Sequence, residues 1–527
     1  MTSHKLPERA NLEQLKKQAK SLLRAAREKD PDALQRFRIL RAVGGAEPDA
    51  AGLALHDAQS VIAREYGFKS WNEMRDHVEE SSLSFEAAVE EFLRCATGGA
   101  QPRASRLLER FPAIAHASLY TELVLGDAEA VEARLAKNPE AALQPGGVQN
   151  WEPILYVCHT CMNQGAPARA DGLVAITRAL LARHANPNAE YHWNWHRELP
   201  RTALWGALCA VNHLPLAEAL LEGGANPTDG VSMHITAGSG MVAELELLHR
   251  FGVNVNGIPG GVPPLRYILS WAYNSPARTA GIRWLLDHGA DVNLAWSEPG
   301  DAPIHVAVQR WDVPMVELLV RHGADIHLRR ADGRTPYTIA ALCGNKEITS
   351  WLLAHGAKDE LSRLEHFVAA CSRGDRAEAE ATLRAHPGLR AELSREHHLL
   401  MQVPAERGDA AVLETMLASG FDPNVKDADG VTALHRAAMA GQAEAVRVLI
   451  SYGASVNAAD GMFSGSPLLW ASHGWNHRRD VRGYVDAARL LIVAGASREW
   501  IPPEKMPDPE AAQEELAELV RAAEAVA

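Results

Sequence analysis

Cysteine is scarce in this chain: six among 527 residues, with no framework spacing. A disulfide-stapled secreted scaffold is excluded, and free thiols in a reducing compartment are expected. No apolar run reaches membrane-spanning length, and the N-terminal stretch MTSHKLPERANLEQLKKQAK lacks an apolar signal core. A cytoplasmic location and no membrane partner are the expectations. G-x-S-x-G, Walker-type and H-E-x-x-H motifs are all missing, so nucleophilic, phosphate-loop and zincin chemistry have no carrier. GIPGGVPP at 257–264 is rich in glycine but lacks the lysine and Ser/Thr of a phosphate loop. Net positive charge is lacking too. At −13, the chain as a whole does not attract nucleic acid.

What is present is a folded-protein composition, 47% hydrophobic and 23% charged, on a length that suits several domains or one array grown by repetition. Repetition decides between them. ADGVTALHRAAMAGQAEAVRVLISYGASVNAAD, residues 428–460, aligns with ADGRTPYTIAALCGNKEITSWLLAHGAKDELS at 331–362 and with GDAPIHVAVQRWDVPMVELLVRHGADIHLRR at 300–330. Closing glycines recur at Gly289, Gly323 and Gly356, and again at Gly420 and Gly453.

Each unit reads as two helices and a finger. Thr335 is placed to cap a helix whose first residue, Pro336, has no N–H to leave unbonded. Ala437 and Ala438 allow close packing, and Gly441 supplies the left-handed turn that ends the helix. Val446, Leu449 and Ile450 then line the core face of a second helix, which stops at Gly453. The segment SVNAADG suits a short hairpin. No such unit buries its apolar face alone, so units must stack.

These stretches resemble the ankyrin repeat through its T-P-L-H-x-A-A and G-A-D-x-N signatures. The resemblance implies an all-α ankyrin-repeat solenoid, stacked helix-turn-helix pairs with short β-hairpin fingers, whose concave surface binds other proteins. Degenerate copies extend it to 202–229, 230–258 and 466–500, and proline turns at Pro112, Pro139 and Pro387 replace the closing glycine elsewhere. About twelve units fill 83–500. The stretch 501–527 ends in an amphipathic helix suited to a cap.

Residues 1–82 fall outside the repeat. Leu12, Leu15, Ala19 and Leu22 share a helix face, and Ser70 with Glu73 forms a capping-box pattern. With its AREYGFKSW stretch, this segment resembles the helical leader ahead of ankyrin arrays in many bacterial proteins. Residues 1–41 carry eleven Lys/Arg against five Asp/Glu. Lys16, Lys17, Lys20, Arg24 and Arg27 cluster on one helix side, with Arg36, Arg38 and Arg41 following. A solvated or docked face explains them best, with a nucleic-acid regulator as the alternative; no base-reading motif supports it.

One constellation suggests metal. Cys158 and Cys161 have C-x2-C spacing, and His192 and His196 have H-x3-H spacing. In repeat register, however, Cys158 and Cys371 both fall on the second alanine of A-A, a small buried position, and the histidines belong to the next finger. A metal or small-ligand site in the insertion-bearing units at 150–200 therefore stays the alternative. No cofactor, metal, catalytic residue or small-molecule substrate is assigned. The histidines have structural places: His234, His305 and His435 hold the fourth position of T-P-L-H, while His288, His322 and His355 precede helix-ending glycines.

Tryptophan points to a partner. Trp193 and Trp195 lie in a finger, Trp205 replaces the histidine of its unit, and Trp470 takes the variable position facing the groove. Trp271, Trp311 and Trp475 fall near the ends of first helices. Aromatics bury much area at little entropic cost, which suits binding anchors. Trp193, Trp195, Trp205, Arg436 and Trp470 are the expected anchors of a non-enzymatic scaffold or adaptor for another protein.

Overall fold

The computed structural model describes residues 6–7, 10–37, 53, 55–192, 200–270, 275–296, 300–461, 464–476, 482–498, 516–517, 519–520 and 523. Contacts divide the chain into two compact units, Met1–Tyr191 with Arg201–Asn226, and His192–Pro200 with Pro227–Ala527.

The first unit opens with four helices, α1 (Leu12–Arg27), α2 (Pro31–Phe37), α3 (Leu55–Glu65) and α4 (Trp71–Ser82). Leu15, Ala19, Leu22 and Ala26 recur at helical spacing and bury one face of α1. They join Phe37, Ile62, Met74 and Val78 in a core of their own. Ser70 caps α4 by accepting from Glu73 N, but the return bond of Glu73 goes to Lys69 N at 2.7 Å, one residue earlier than a capping box places it. Of the basic residues expected to stay solvated, Arg36 is paired with Glu65 at 2.7 Å.

Helix pairs follow, among them Phe85–Thr97 with Gln101–Arg110 and Pro153–Cys158 with Pro167–Leu181. Arg106 ties the first of these to α4 through Glu80 at 2.8 Å and Asp76 at 3.3 Å. Two of the three proline turns are built as 3-10 segments, Pro112–His116 and Pro139–Ala142, with Ile114 and Ala142 buried, while Pro387 precedes a short α-helix, Leu389–Glu392.

In the second unit the pairs continue from Ser232–Gly238 with Val242–Arg250 to Pro467–Asn476 with Arg482–Val493. Thr335 accepts from Thr338 N, with Pro336 as first helical residue. Gly441 and Gly453 both have positive φ, 67° and 86°, where a β-carbon would be strained. Cys158 and Cys371 are fully buried, the latter among Phe367, Met401 and Leu413. Leu516, Leu519, Val520 and Ala523 are buried in the same core.

Strand pairing in the fingers is sparse. The one two-stranded ladder among the described residues pairs Glu190–Tyr191 with Arg201–Thr202. Elsewhere side chains do the work of the ladder. In the G-A-D-x-N segment the aspartate turns the chain on itself: Asn293 N donates to Asp291 Oδ1 at 2.9 Å, and Asn424 N to Asp422 Oδ1 at 2.9 Å. The asparagine then crosses to the next unit. Asn293 Nδ2 donates to Gly323 O at 2.8 Å while its Oδ1 accepts from Asp325 N at 2.9 Å. Asn424 and Asn457 repeat the pair of bonds, to Gly453 and Ser455 and to Gly495 and Ser497. A finger whose polar groups are met this way has no need of strand pairing.

The T-P-L-H histidines make a second set of crosslinks. Thr432 N donates to His435 Nδ1, so the imidazole proton sits on Nε2, which donates to Gly465 O of the following finger at 3.1 Å. His305 does the same with Ala302 N and with Leu328 O at 2.9 Å.

Candidate functional site

Two places collect side chains that the repeat itself does not require. The first lies in the first unit. Gly146 and Trp151 exchange backbone bonds and close a loop over Tyr156, whose hydroxyl donates to Gly146 O at 2.9 Å. Trp151 stacks on Tyr191 at 4.1 Å between ring centroids. His159 stands edge-on to both, at 5.7 and 5.0 Å, and stacks with Trp205 at 5.8 Å. The Arg201 guanidinium lies over the Trp205 ring, 3.8 Å from its centroid.

His159 Nδ1 contacts Leu155 O at 3.0 Å and takes the proton, leaving Nε2 a bare acceptor. His159 Nε2 and Trp205 Nε1 are both buried without hydrogen-bond partners. Burial pulls the His159 pKa down to about 4, so the ring is neutral near pH 7. Gly206 lets these layers meet, because a β-carbon there would stand 2.3 Å from Cys158 O. The first helix relaxes into a π-turn at Gly206–Ala210, a form frequent at functional sites.

The second place is on first helices of the second unit. Trp470 is half-buried, and its indole N–H donates to Asp460 Oδ2 at 2.9 Å, an oxygen that also accepts from Gly465 N. Arg436 lies 5.8 Å from the Trp470 ring centroid and reaches Asp427 Oδ2 at 3.5 Å. Its Nε is buried and unpartnered. Arg310, at the end of the helix Pro303–Arg310, is within electrostatic reach of Glu406, Arg436 and Arg407; burial above all draws its pKa down.

Of the sequence-selected anchors, Arg436 and Trp470 are therefore neighbours. Trp205 sits in the other unit, stacked with His159 and with Arg201 over its ring. Trp193, Trp195 and Trp271 lie outside the described residues. Trp311 is a core residue, 5% exposed, with its N–H on Leu269 O at 2.9 Å, and Trp475 packs against the core of the second unit. Arg310, His159 and Arg201 carried no motif and escaped selection. The signal for Arg310 was its register position, shared with Arg407.

Cys158 ends its helix, with His159 as cap, and Cys161 lies beyond the helix instead of within its last turn. Cys161 Sγ faces Cys95 O of an earlier helix at 3.6 Å. Burial raises the thiols of Cys158 and Cys161, and that of Cys95 to about 12. Among the described residues no three His, Cys, Asp or Glu side chains converge on a metal position, and His196 lies outside them. No helix among the described residues is long and apolar enough to cross a membrane.

This architecture is that of ankyrin repeats, and a family model described as ankyrin repeats (3 copies) matches residues 269–363 and 400–497. Among curated proteins, the chain is 45% identical over 67 residues to the human (Homo sapiens) 2-5A-dependent ribonuclease, covering 13% of this chain and 9% of that protein. It is 31% identical over 174 residues to human SH3 and multiple ankyrin repeat domains protein 2, covering 32% of this chain and 9% of the relative. For Rabankyrin-5 of Mus musculus the match is 28% over 165 residues, covering 30% and 14%. The chain thus spans a small fraction of the relatives it matches. Among solved structures, the human ASB11 ankyrin repeat domain aligns with a TM-score of 0.34 at 22% identity, over 46% of this chain and 99% of that one.

Proposed function

We propose that this protein is a non-enzymatic interaction scaffold or adaptor of the cytoplasm, which binds another protein through first-helix faces and finger loops. In this reading residues 1–82 are a helical leader, 83–500 the repeat array and 501–527 its terminal cap. Support comes from the repeat class, whose members generally bind other proteins. The observation that carries the reading is the Arg436–Trp470 pair. Both occupy positions where the repeat needs no large side chain, both are half-buried, and one buried guanidinium nitrogen is unmatched. Large, partly desolvated Arg and Trp side chains are what binding hot spots are made of.

Because Trp470 also holds Asp460, Trp470→Ala risks local unfolding, and Trp470→Phe keeps the ring. Partner capture from the native cell, quantified by mass spectrometry, should fall for Trp470→Phe combined with Arg436→Gln, with affinity weakened by about thirtyfold for a 2 kcal/mol hot spot. The helical circular-dichroism signal should be unchanged. Undiminished capture of the same partners would refute the assignment of this face.

A further inference from the structure

The glycine-rich stretch GIPGGVPP lengthens one finger of the second unit before the helix Pro264–Ser270 begins. Gly257 and Gly260 turn it with φ of 79° and 78°, and His234 Nε2 holds it by donating to Val262 O at 2.7 Å. Between this loop and the next finger runs a groove of about 580 Å³, walled by Ile258, Pro259, Pro263, Leu294 and Trp296. Ile258 is 43% exposed and Trp296 half-buried, so these walls offer apolar surface to solvent. Among the described residues that line the groove there is no Asp, Glu, Lys or Arg. Arg266 lies over the Trp296 ring, 4.8 Å from its centroid, and is itself matched by Asp301 at 3.8 Å.

The polar side chains of the groove have donors left over and acceptors already used. In three other fingers Asn293, Asn424 and Asn457 spend both ends of the amide on the next repeat. Asn256 spends only its oxygen there, accepting from Asp291 N at 2.7 Å, and its Nδ2 meets no described residue. Asn254 Oδ1 accepts from Asn256 N at 3.0 Å, while its own Nδ2 turns back to Gly257 O at 2.7 Å. The indole N–H of Trp296 has no described acceptor either. An occupant that brings acceptors satisfies these side chains, and N–H groups of its own gain nothing from them.

We propose that this groove receives an extended, uncharged, proline-containing segment of a partner protein. The inference rests on the interaction reading above and names the chemistry of the partner at a second surface. Proline has no N–H to leave unmet, and a polyproline II strand makes no internal hydrogen bonds, so its carbonyls stand free to accept. Asn256 Nδ2 and Trp296 Nε1 are the donors for them. Proline rings pack on aromatic walls, which is how grooves that read such segments hold them. A charged segment fits less well. Its carboxylate or ammonium would be desolvated against Ile258, Pro263 and Leu294 with no counter-charge on the walls.

The test uses the full chain and a fluorescein-labelled peptide of repeated proline-proline-leucine, followed by fluorescence anisotropy. Saturable binding is expected, and added salt should not weaken it because no ion pair forms. Trp296→Leu should weaken it by about tenfold or more. Asn256→Asp keeps the bond from Asp291 N and removes the donor, so it too should weaken binding, with the Tm reporting that the variant is folded. Arg321→Gln, which alters an exposed outer-helix arginine paired with Glu317, should leave the Kd unchanged. No saturable binding, equal affinity for the same peptide with alanine in place of proline, or equal binding by both groove variants would each overturn the proposal. If the peptide fails to bind while cellular partners are still lost on Trp470→Phe with Arg436→Gln, the groove alone fails and the interaction reading stands. If the peptide binds as expected while those partners are kept, the first-helix face fails and the groove stands.

Discussion

Single residues in this molecule act mostly by joining one unit to the next. Asn293 both donates to Gly323 O and accepts from Asp325 N, so Asn293→Ala deletes two crosslinks at once. The groups left behind are exposed to water, which limits the loss to about 1–2 kcal/mol. Asn293→Asp keeps the acceptor and should cost about half as much; urea unfolding midpoints would show the order. The buried histidines act through pH. His159, His234, His305, His397 and His435 all have pKa values lowered by burial, His159 from 6.5 to about 4. A lowered pKa means the unfolded chain takes up the proton first. Stability is therefore full above pH 6.5 and is lost as pH falls from there towards 4, with about 3 kcal/mol attributable to His159. Unfolding midpoints measured across this range should fall with acid, less steeply in His159→Gln. A pH-independent midpoint would contradict the buried neutral ring.

At the scale of elements, local chemistry was legible wherever one helix turn contains it. Thr335–Pro336 starts a helix, Gly441 ends one, and Cys158 and Cys371 take the buried place that register assigns them. Which fingers pair as strands was not legible, because turn-rich sequence does not reveal that asparagine will bridge to a neighbour. The long outer helices were also unreadable. Pro167–Leu181 and Arg482–Val493 each lie against the turn of the preceding unit. A β-carbon on Gly172 would stand 1.9 Å from Gly126 O, and one on Gly483 2.4 Å from Gly441 O. Alanine normally favours a helix over glycine by about 1 kcal/mol. Here Gly172→Ala should instead destabilise, by about 1–3 kcal/mol, because backbone must shift. A thermal melt decides the sign: a raised Tm would mean that the helix can retreat from the turn.

For the molecule as a whole, a stack must end, and each end exposes an apolar face. Leu516, Leu519 and Val520 belong to the buried core that also holds Tyr484, Leu491 and Ala496, as the proposed terminal cap requires. Leu519→Ala should cost about 2–5 kcal/mol, the usual range for a fully buried leucine. Since stacked units are coupled mainly to their neighbours, proteolysis of that variant should begin at the C-terminal pair. Uniform cleavage along the chain would argue against the helix as a cap. The repeat period, the capping residues and the apolar faces were determined by the sequence alone, because they depend on contacts within a few residues of backbone. The approach of Arg436 to Trp470, and the clustering of Trp151, Tyr191, His159 and Trp205, were decided only in the tertiary structure. Those side chains come from different units, and how near they approach depends on how helices stack, which no local spacing records.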